Sequence, residues 1–538
     1  MLRKAIRRIY VRRLRRILRG HLILKKMNSR NEIFSIRNSL AVTDCVKSRK
    51  VSRNIFGIAT SESELLVRQY ALYRFGYMGL QKSILHALGK PSSAVVHPMP
   101  PSWQVVLEKS GLRVAKIRSR LLWNSTMLRA LAQGFRVIGR TIIQGVKEVS
   151  RPRYNKLGRY TYFDQLVINN VPISDNKNKI NYNIMTWYQQ WDGRIRNLDS
   201  MCHSIKNIDS SNVGTVPINY LPSIPPINTI KGLVGYTFWA IKASLLASVD
   251  LFRGRWWHAL LLSEAAISAH VRFMSADSLA REYMFHNSNW IYRPLWTYEA
   301  EAKGCLVTFY FYSTNCEPFK LESGYPEQVF GWKNLNWPRY LVWDDFQSSF
   351  VKRVIGEDAS VEVVGHIWFV DTRDQFSSTT KDNIAVFDVT PQRPSLHIPQ
   401  VIEDFDWEIP KVCNQFLFDI QQISSNHHYN ILLKRKRKKT VNKDRWAHPI
   451  HERFYEALLL SDNVQSIDPT VAAIRLIDSC ELVISMPFTS TALIAREMNK
   501  PSAYYDPLGL CQKGDRAAHG IEILQGKKEL ESWILAQG

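Results

Sequence analysis

From residue 383 to its end the chain repeats one pattern: a short apolar run, a turn, then a stretch with helical spacing of its apolar residues. Such a chain has few options beyond a parallel sheet with helices packed on its faces. The apolar runs are IAVFDVTPQ, ILLKRKR, ELVISM and SAYYD, and the helical stretches between them lie at residues 411–423, 451–460 and 491–498. The alternation begins earlier, with candidate strands at 282–286, 305–312, 340–342 and 361–368. A helix at 292–303 precedes Gly304, a residue suited to a helix C-terminus. The fold expected is α/β, with two doubly wound halves at 275–382 and 383–538 and a ligand cleft at the carboxyl ends of their strands.

Ahead of these halves the texture differs. Residues 63–77 and 113–136 have helical spacing, whereas 150–228 is rich in Asn, Asp, Ser and Pro, so 55–228 reads as a helical, then loop-rich accessory region. Residues 229–274 are apolar, but Lys242 and Asp250 handicap a spanning helix. A buried or membrane-dipping helical pair is expected there, with Trp256 and Trp257 at an interface.

Residues 1–54 form the most basic stretch. The first 26 carry Arg3, Lys4, Arg7, Arg8, Arg12, Arg13, Arg15, Arg16, Arg19, Lys25 and Lys26 with no acid, interleaved with apolar residues at spacings of three and four. That pattern suits either a helix lying on an anionic membrane surface or a solvated basic tail. The whole chain has 72 Lys and Arg against 47 Asp and Glu, a net +25, which favours polyanionic partners without choosing among them. Seven scattered cysteines without CxxC spacing suggest neither a disulfide framework nor a zinc site.

The sharpest local signal lies at residues 481–506, ELVISMPFTSTALIAREMNKPSAYYD. An apolar strand ends, the chain turns, and Thr489, Ser490 and Thr491 open a helix. Three hydroxyls there exceed what one cap needs and suit a phosphate or carboxylate beside free helix amides. Upstream, Lys434, Lys436 and Arg437 end a basic strand, and His448-Pro449 opens the next helix, where His448 can donate to a phosphate oxygen. Arg393, in the turn after IAVFDVT, is a further candidate anion ligand. His366, ending VEVVGH, reads as a packed loop histidine. Asp404 and Asp406 match a DxD pattern, but in a Pro-flanked acidic connector rather than at a strand end, and no Gly-rich phosphate loop is present.

The segment MPFTSTA, with the strand before it and KPSAYYDP after it, resembles the signature of the polysaccharide biosynthesis PFTS-motif proteins, over residues 275–510 or so. The His448-Pro449 pair and the later Ser/Thr cluster also resemble the HP and S/T motifs of bacterial sialyl and Kdo transferases. That likeness implies a GT-B type pair of Rossmann-like domains behind a mainly helical basic N-terminal region. It also implies a metal-independent, inverting transfer from a CMP-linked acidic sugar, with His448 on the CMP phosphate and Thr489, Ser490 and Thr491 on phosphate or carboxylate. A carboxylate in the first half would take the acceptor proton. The acidic pair followed by Gly that serves those enzymes is missing, and the candidates are Asp344 and Asp345 in YLVWDDF and Glu299 and Glu301 in WTYEAEAKG.

The function expected is therefore a glycosyltransferase of bacterial surface polysaccharide (capsule or O-antigen) assembly, with a nucleotide sugar as cosubstrate and no cofactor or metal. It would act on a lipid-linked or growing glycan, peripherally on the cytoplasmic face of the plasma membrane and its anionic surface, with no nucleic-acid partner. The rival readings are a UDP- or GDP-sugar transferase of the same fold, a noncatalytic polyanion- or nucleic-acid-binding protein, which the KRKRKK run would suit, and an inactive scaffold.

Overall fold

The computed structural model describes residues 27–43, 53–58, 60–76, 78–89, 92–151, 158–172, 181–206, 211–287, 292–326, 332–371, 382–391, 408–435 and 447–537. Its helical start comprises α1 (Met27–Val42), α2 (Arg53–Phe56), α3 (Thr60–Phe75), α4 (Met78–Gly89), α5 (Pro101–Lys109) and α6 (Lys116–Ser150). Two sheets follow.

The first sheet holds β1 (Tyr160–Phe163), β2 (Ser200–His203), β3 (Ser211–Val213), β4 (Val216–Tyr220), β5 (Glu282–His286), β6 (Leu306–Tyr310), β7 (Tyr340–Val342) and β8 (Val361–Val363). Their order is β3-β4-β2-β1-β5-β6-β7-β8, parallel except for the β3/β4 hairpin. This corrects the reading of 150–228 as an accessory insert: four strands of the first sheet come from it, so that unit begins near residue 160 rather than 275. The strands escaped notice because β1 and β2 are only four residues long and buried throughout, which leaves no alternation to read. Helix α7 (Ile184–Gln190) connects β1 to β2, and the long β4-to-β5 crossover contains α8 (Ile230–Phe252) and α9 (Trp257–Arg272). The apolar pair at 229–274 is thus built into the first unit.

Strand alternation divides the first sheet's two faces. Tyr283, Phe285, Phe309 and Tyr340 enter a core shared with α6, α8, α9 and the N-terminal helices. Their neighbours Met284, Tyr310 and Leu341 enter a second core shared with Ala385, Leu432, Val483 and Tyr504 of the other sheet. Trp256 and Trp257, expected at an interface, are buried instead, with Trp256 edge-on to Trp123 of α6 at 5.0 Å. Helix α10 (Trp296–Ala302) is shorter than the 292–303 expected from its spacing.

The second sheet holds β9 (Asn383–Phe387), β10 (Asn430–Lys434), β11 (Val464–Ile467), β12 (Leu482–Ser485), β13 (Ser502–Asp506) and β14 (Glu522–Gln525) in the order β11-β10-β9-β12-β13-β14, all parallel. Helix α11 (Asp345–Ile355) precedes it, and α12 (Pro410–Asn426), α13 (Pro449–Leu458), α14 (Ala473–Asp478), α15 (Ser490–Glu497) and α16 (Gly526–Gln537) connect or flank its strands. The chain winds outward from the central β9/β12 pair in both directions. That creates a topological switch point, and the crevice beyond the carboxyl ends of those two strands is where such sheets take ligands. In the first sheet the same reversal occurs between β1 and β5.

Candidate functional site

The PFTS segment is the turn from β12 into α15, directly at the second switch point. Phe488 takes a left-handed backbone, φ 63°, which is costly for a bulky residue and reverses the chain so that the helix can start at once. Its ring stacks on Phe319 of the first unit at 4.6 Å. Thr489 occupies the cap position, yet its hydroxyl donates to the Met486 carbonyl at 2.9 Å and lies 3.1 Å from that of Thr491, which in turn meets Ser485 at 2.8 Å. The Tyr504 hydroxyl holds the Thr489 carbonyl at 2.9 Å. The cap side chain therefore makes no hydrogen bond to the first amides of α15. Ser490 turns to the first unit, 3.2 Å from the Thr314 hydroxyl just past β6.

His448 and Pro449 also arrive at this crevice. His448 caps α13, accepting from the Ile450 amide at Nδ1 (3.3 Å), while its own amide donates to the Pro391 carbonyl beyond β9 at 2.9 Å. Lys434 ends β10, paired in register with Phe387 of β9. Burial pulls its pKa below the ordinary lysine value, opposed by Asp388 and Asp468. Arg435 is ion-paired with Glu452 and lies over the Tyr455 ring. Arg393, Lys436 and Arg437, and the DxD pair Asp404 and Asp406, lie outside the described residues.

One residue at this site escaped the sequence reading. Asp388, the residue after β9, is 3 % exposed, and among the described residues neither of its carboxylate oxygens has a hydrogen-bond partner. Its nearest counter-group is His451, whose Nε2 lies 3.7 Å away and whose Nδ1 faces the Asn414 side-chain oxygen at 2.8 Å. The available signal was its position, a lone acid closing the apolar run IAVF at a strand's carboxyl end.

The four carboxylates expected to include the base are placed elsewhere. Glu299 is held by Arg272 at 2.6 Å and Glu301 is paired with Arg293, both in the helical layer of the first unit. Asp345 is exposed in the first turn of α11. Asp344 caps that helix through the Gln347 amide (2.9 Å) and ties the two units together, with His519 Nδ1 at 2.9 Å and Arg496 at 3.2 Å. Burial opposes its charge, but the hydrogen bond and charge of His519, the Gln347 amide and Arg496 prevail and hold its pKa below the usual aspartate value. Among the described residues none of the four bonds Thr489, Ser490 or Thr491; Asp344 meets Arg496 at the far end of α15 and acts electrostatically on Tyr504, which holds the Thr489 carbonyl. A second strut joins Asp371 to Arg475, two contacts of 2.7 Å.

The first unit's own switch point instead presents Asp164, just past β1, and His286, which ends β5. The Asp164 amide donates to the Met284 carbonyl at 3.0 Å, and burial holds the His286 pKa down to about 4. The position of Asp164 was invisible as long as 150–228 read as a loop, whereas His286 closes a strand that the sequence did show. His366 packs on Trp343 at 4.5 Å with its pKa lowered by burial to about 3, which suits the packed histidine expected. Among the described residues no three His, Cys, Asp or Glu side chains converge as a metal-ligand set.

The carboxyl ends of the two sheets thus face each other across Thr314 and Ser490, with anion-suited groups on the second side. No curated protein matches the chain. Among solved structures, trehalose-6-phosphate synthase OtsA is similar at 9 % identity with a TM-score of 0.35, covering 70 % of this chain and 91 % of that one. Anabaena Alr3699/HepE in complex with UDP and glucose is similar at 10 % identity with a TM-score of 0.29, covering 70 % and 89 %. Residues 239–534, more than half the chain and including the whole PFTS turn, match the family described as polysaccharide biosynthesis PFTS motif protein, and the chain belongs to that family.

Proposed function

We propose that the protein is an inverting, metal-independent glycosyltransferase of surface polysaccharide assembly, taking its sugar from a CMP-linked acidic donor and passing it to a lipid-linked or growing glycan at the cytoplasmic membrane face. The observation that carries this reading is the second switch point, where α15 starts with amides uncapped by Thr489 and the His448 turn is stitched to the end of β9. Amides at a helix start and a histidine beside them suit a nucleotide phosphate, and the likeness of His448-Pro449 and the hydroxyl cluster to sialyl and Kdo transferases supports the CMP-linked donor.

In the transfer, an acceptor hydroxyl attacks the donor's anomeric carbon, the new glycosidic bond forms, and the bond to the nucleotide phosphate breaks. Negative charge gathers on the departing phosphate, where His448 and the α15 amides lower its energy. The acceptor proton passes to a carboxylate of the first unit. Asp164, at the carboxyl end of β1, is the first of these to test.

Thermal-shift titration with CMP, UDP, GDP and ADP checks the reading. A ligand that binds only the folded chain stabilises it by about 2.7 kcal/mol at a hundredfold excess over Kd. A shift with CMP that His448→Ala abolishes is expected. A shift with UDP or GDP alone changes the donor, and no shift with any nucleotide removes the enzyme reading in favour of a scaffold or polyanion binder.

A further inference from the structure

Helix α8 buries one side and leaves the other bare. Val234, Phe238, Ile241, Leu245, Val249 and Phe252 recur at spacings of three and four and are all exposed, Phe238 by 71 %, Leu245 by 64 % and Phe252 by 90 %. The helix is long and apolar enough to cross a membrane, but its other face is committed to protein. Tyr236, Ala240, Ala243 and Ala247 are in the core, and Asp250 is buried against His258 at 2.6 Å. A spanning helix would have to abandon these contacts.

Helix α6 packs beside it. A Cβ placed on Gly145 of α6 would meet Leu233 of α8, and one on Gly134 would meet Leu262 of α9, so the three helices fit closely. Helix α9 is covered by the other two. The outward side of α6 carries exposed Leu121, Leu128, Phe135 and Ile143 among exposed Arg129, Arg136 and Arg140. Neither helix exposes a carboxylate: Glu148 is the only acid on α6, Asp250 the only one on α8, and both are buried.

We propose that the outer face of α6 and α8 is the surface by which the protein docks on an anionic lipid bilayer, lying in its plane with the apolar stripe in the headgroup boundary and the arginines on lipid phosphates. It deepens the membrane part of the preceding reading and is independent of the donor chemistry. Charge selects the occupant. A second copy docked by the same face would set cations against cations, whereas an anionic surface complements apolar groups and cations together. The face lies on the side of the first sheet opposite the core shared with the second unit, so docking leaves the crevice between the units free.

Flotation of the full chain with phosphatidylcholine vesicles, with and without anionic phosphatidylglycerol, tests the proposal. The variants are Phe238→Asp with Leu245→Asp, and Arg129→Glu with Arg136→Glu, all at exposed positions, and every sample keeps the basic N-terminal segment. Native protein is expected to float with the anionic vesicles, and each double variant at least tenfold less, with thermal stability and nucleotide shifts unchanged. Native-level flotation of the Phe238/Leu245 variant, absence of native binding, or equal binding to neutral vesicles would overturn the proposal. So would light scattering that shows a native dimer which the Phe238/Leu245 variant converts to monomer, since the occupant would then be a second copy. A nucleotide shift without flotation removes the docking surface alone, and flotation without a nucleotide shift removes the enzyme reading alone.

Discussion

Phe488 shows how a motif can be legible while its reason is not. The letters PFTS stand out in the sequence, but the left-handed backbone at Phe488 and its stacking on Phe319 depend on a residue far away in the chain. Phe488→Ala keeps the strained backbone and loses the ring, and large-to-small changes of this kind cost about 3–5 kcal/mol. The denaturant midpoint should fall accordingly, and a loss below about 1 kcal/mol would show that the ring packs loosely. Asp388 behaves differently. A buried carboxylate with no hydrogen bond among the described residues and only a 3.7 Å approach to His451 adds little to stability and is expected to serve a ligand. Asp388→Asn should leave the thermal midpoint level or raise it while sugar transfer drops at least tenfold. Loss of folding without a specific loss of transfer would make the residue structural.

At the scale of elements, the helices with the clearest periodicity were readable. Residues 411–423 fall inside α12, and 491–498 overlaps α15 within one residue at each end. Strands β1 to β4 were not: β1 and β2 are buried throughout and have no polar face to alternate with, and β3 and β4 are short and sit in Asn- and Pro-rich surroundings that suggest loops. Asp344 illustrates a double role that no local pattern encodes, since it caps α11 and joins the units. Asn also caps well, so Asp344→Asn isolates the charge facing His519 and Arg496, and a loss of about 1.5–3 kcal/mol is expected. Asp344→Ala should cost about 1 kcal/mol more for the cap. Because the folded-state pKa of Asp344 is lowered, its contribution is complete above the unfolded value and fades as pH falls below about 4. Acid titration of native and Asp344→Asn protein should therefore converge at low pH.

Across the whole molecule the buried histidines dominate the mild-acid response. Burial lowers His203, His270 and His286 to about 4, against an ordinary 6.5, so the fold prefers the neutral rings. Each then contributes stability that is present above pH 6.5 and lost as pH falls towards 4, up to about 2 kcal/mol between pH 7 and 5. Glu264 and Glu282, raised by burial, work in the opposite sense. Among the described residues burial also lowers His97 to about 4, His366 to about 3 and His258, while Asp515 joins the raised carboxyls, so the histidines outnumber the carboxyls and the thermal midpoint should fall from pH 7 to 5. A flat or rising profile would mean that the carboxyls prevail.

The sequence alone determined that the last third is a parallel α/β unit and that a hydroxyl-rich PFTS turn and a His-Pro pair open two of its helices, because periodicity and turn residues are local properties of the chain. Only the tertiary structure decided that residues 160–220 complete the first sheet, that Asp344 is a strut between units, that Asp388 lies buried at the switch point with His451 as its counter-group, and that α8 is covered on one face and bare on the other. Those outcomes depend on which distant element arrives to cover a surface or pair a charge, and amphipathic spacing records that a face is apolar without recording what will cover it.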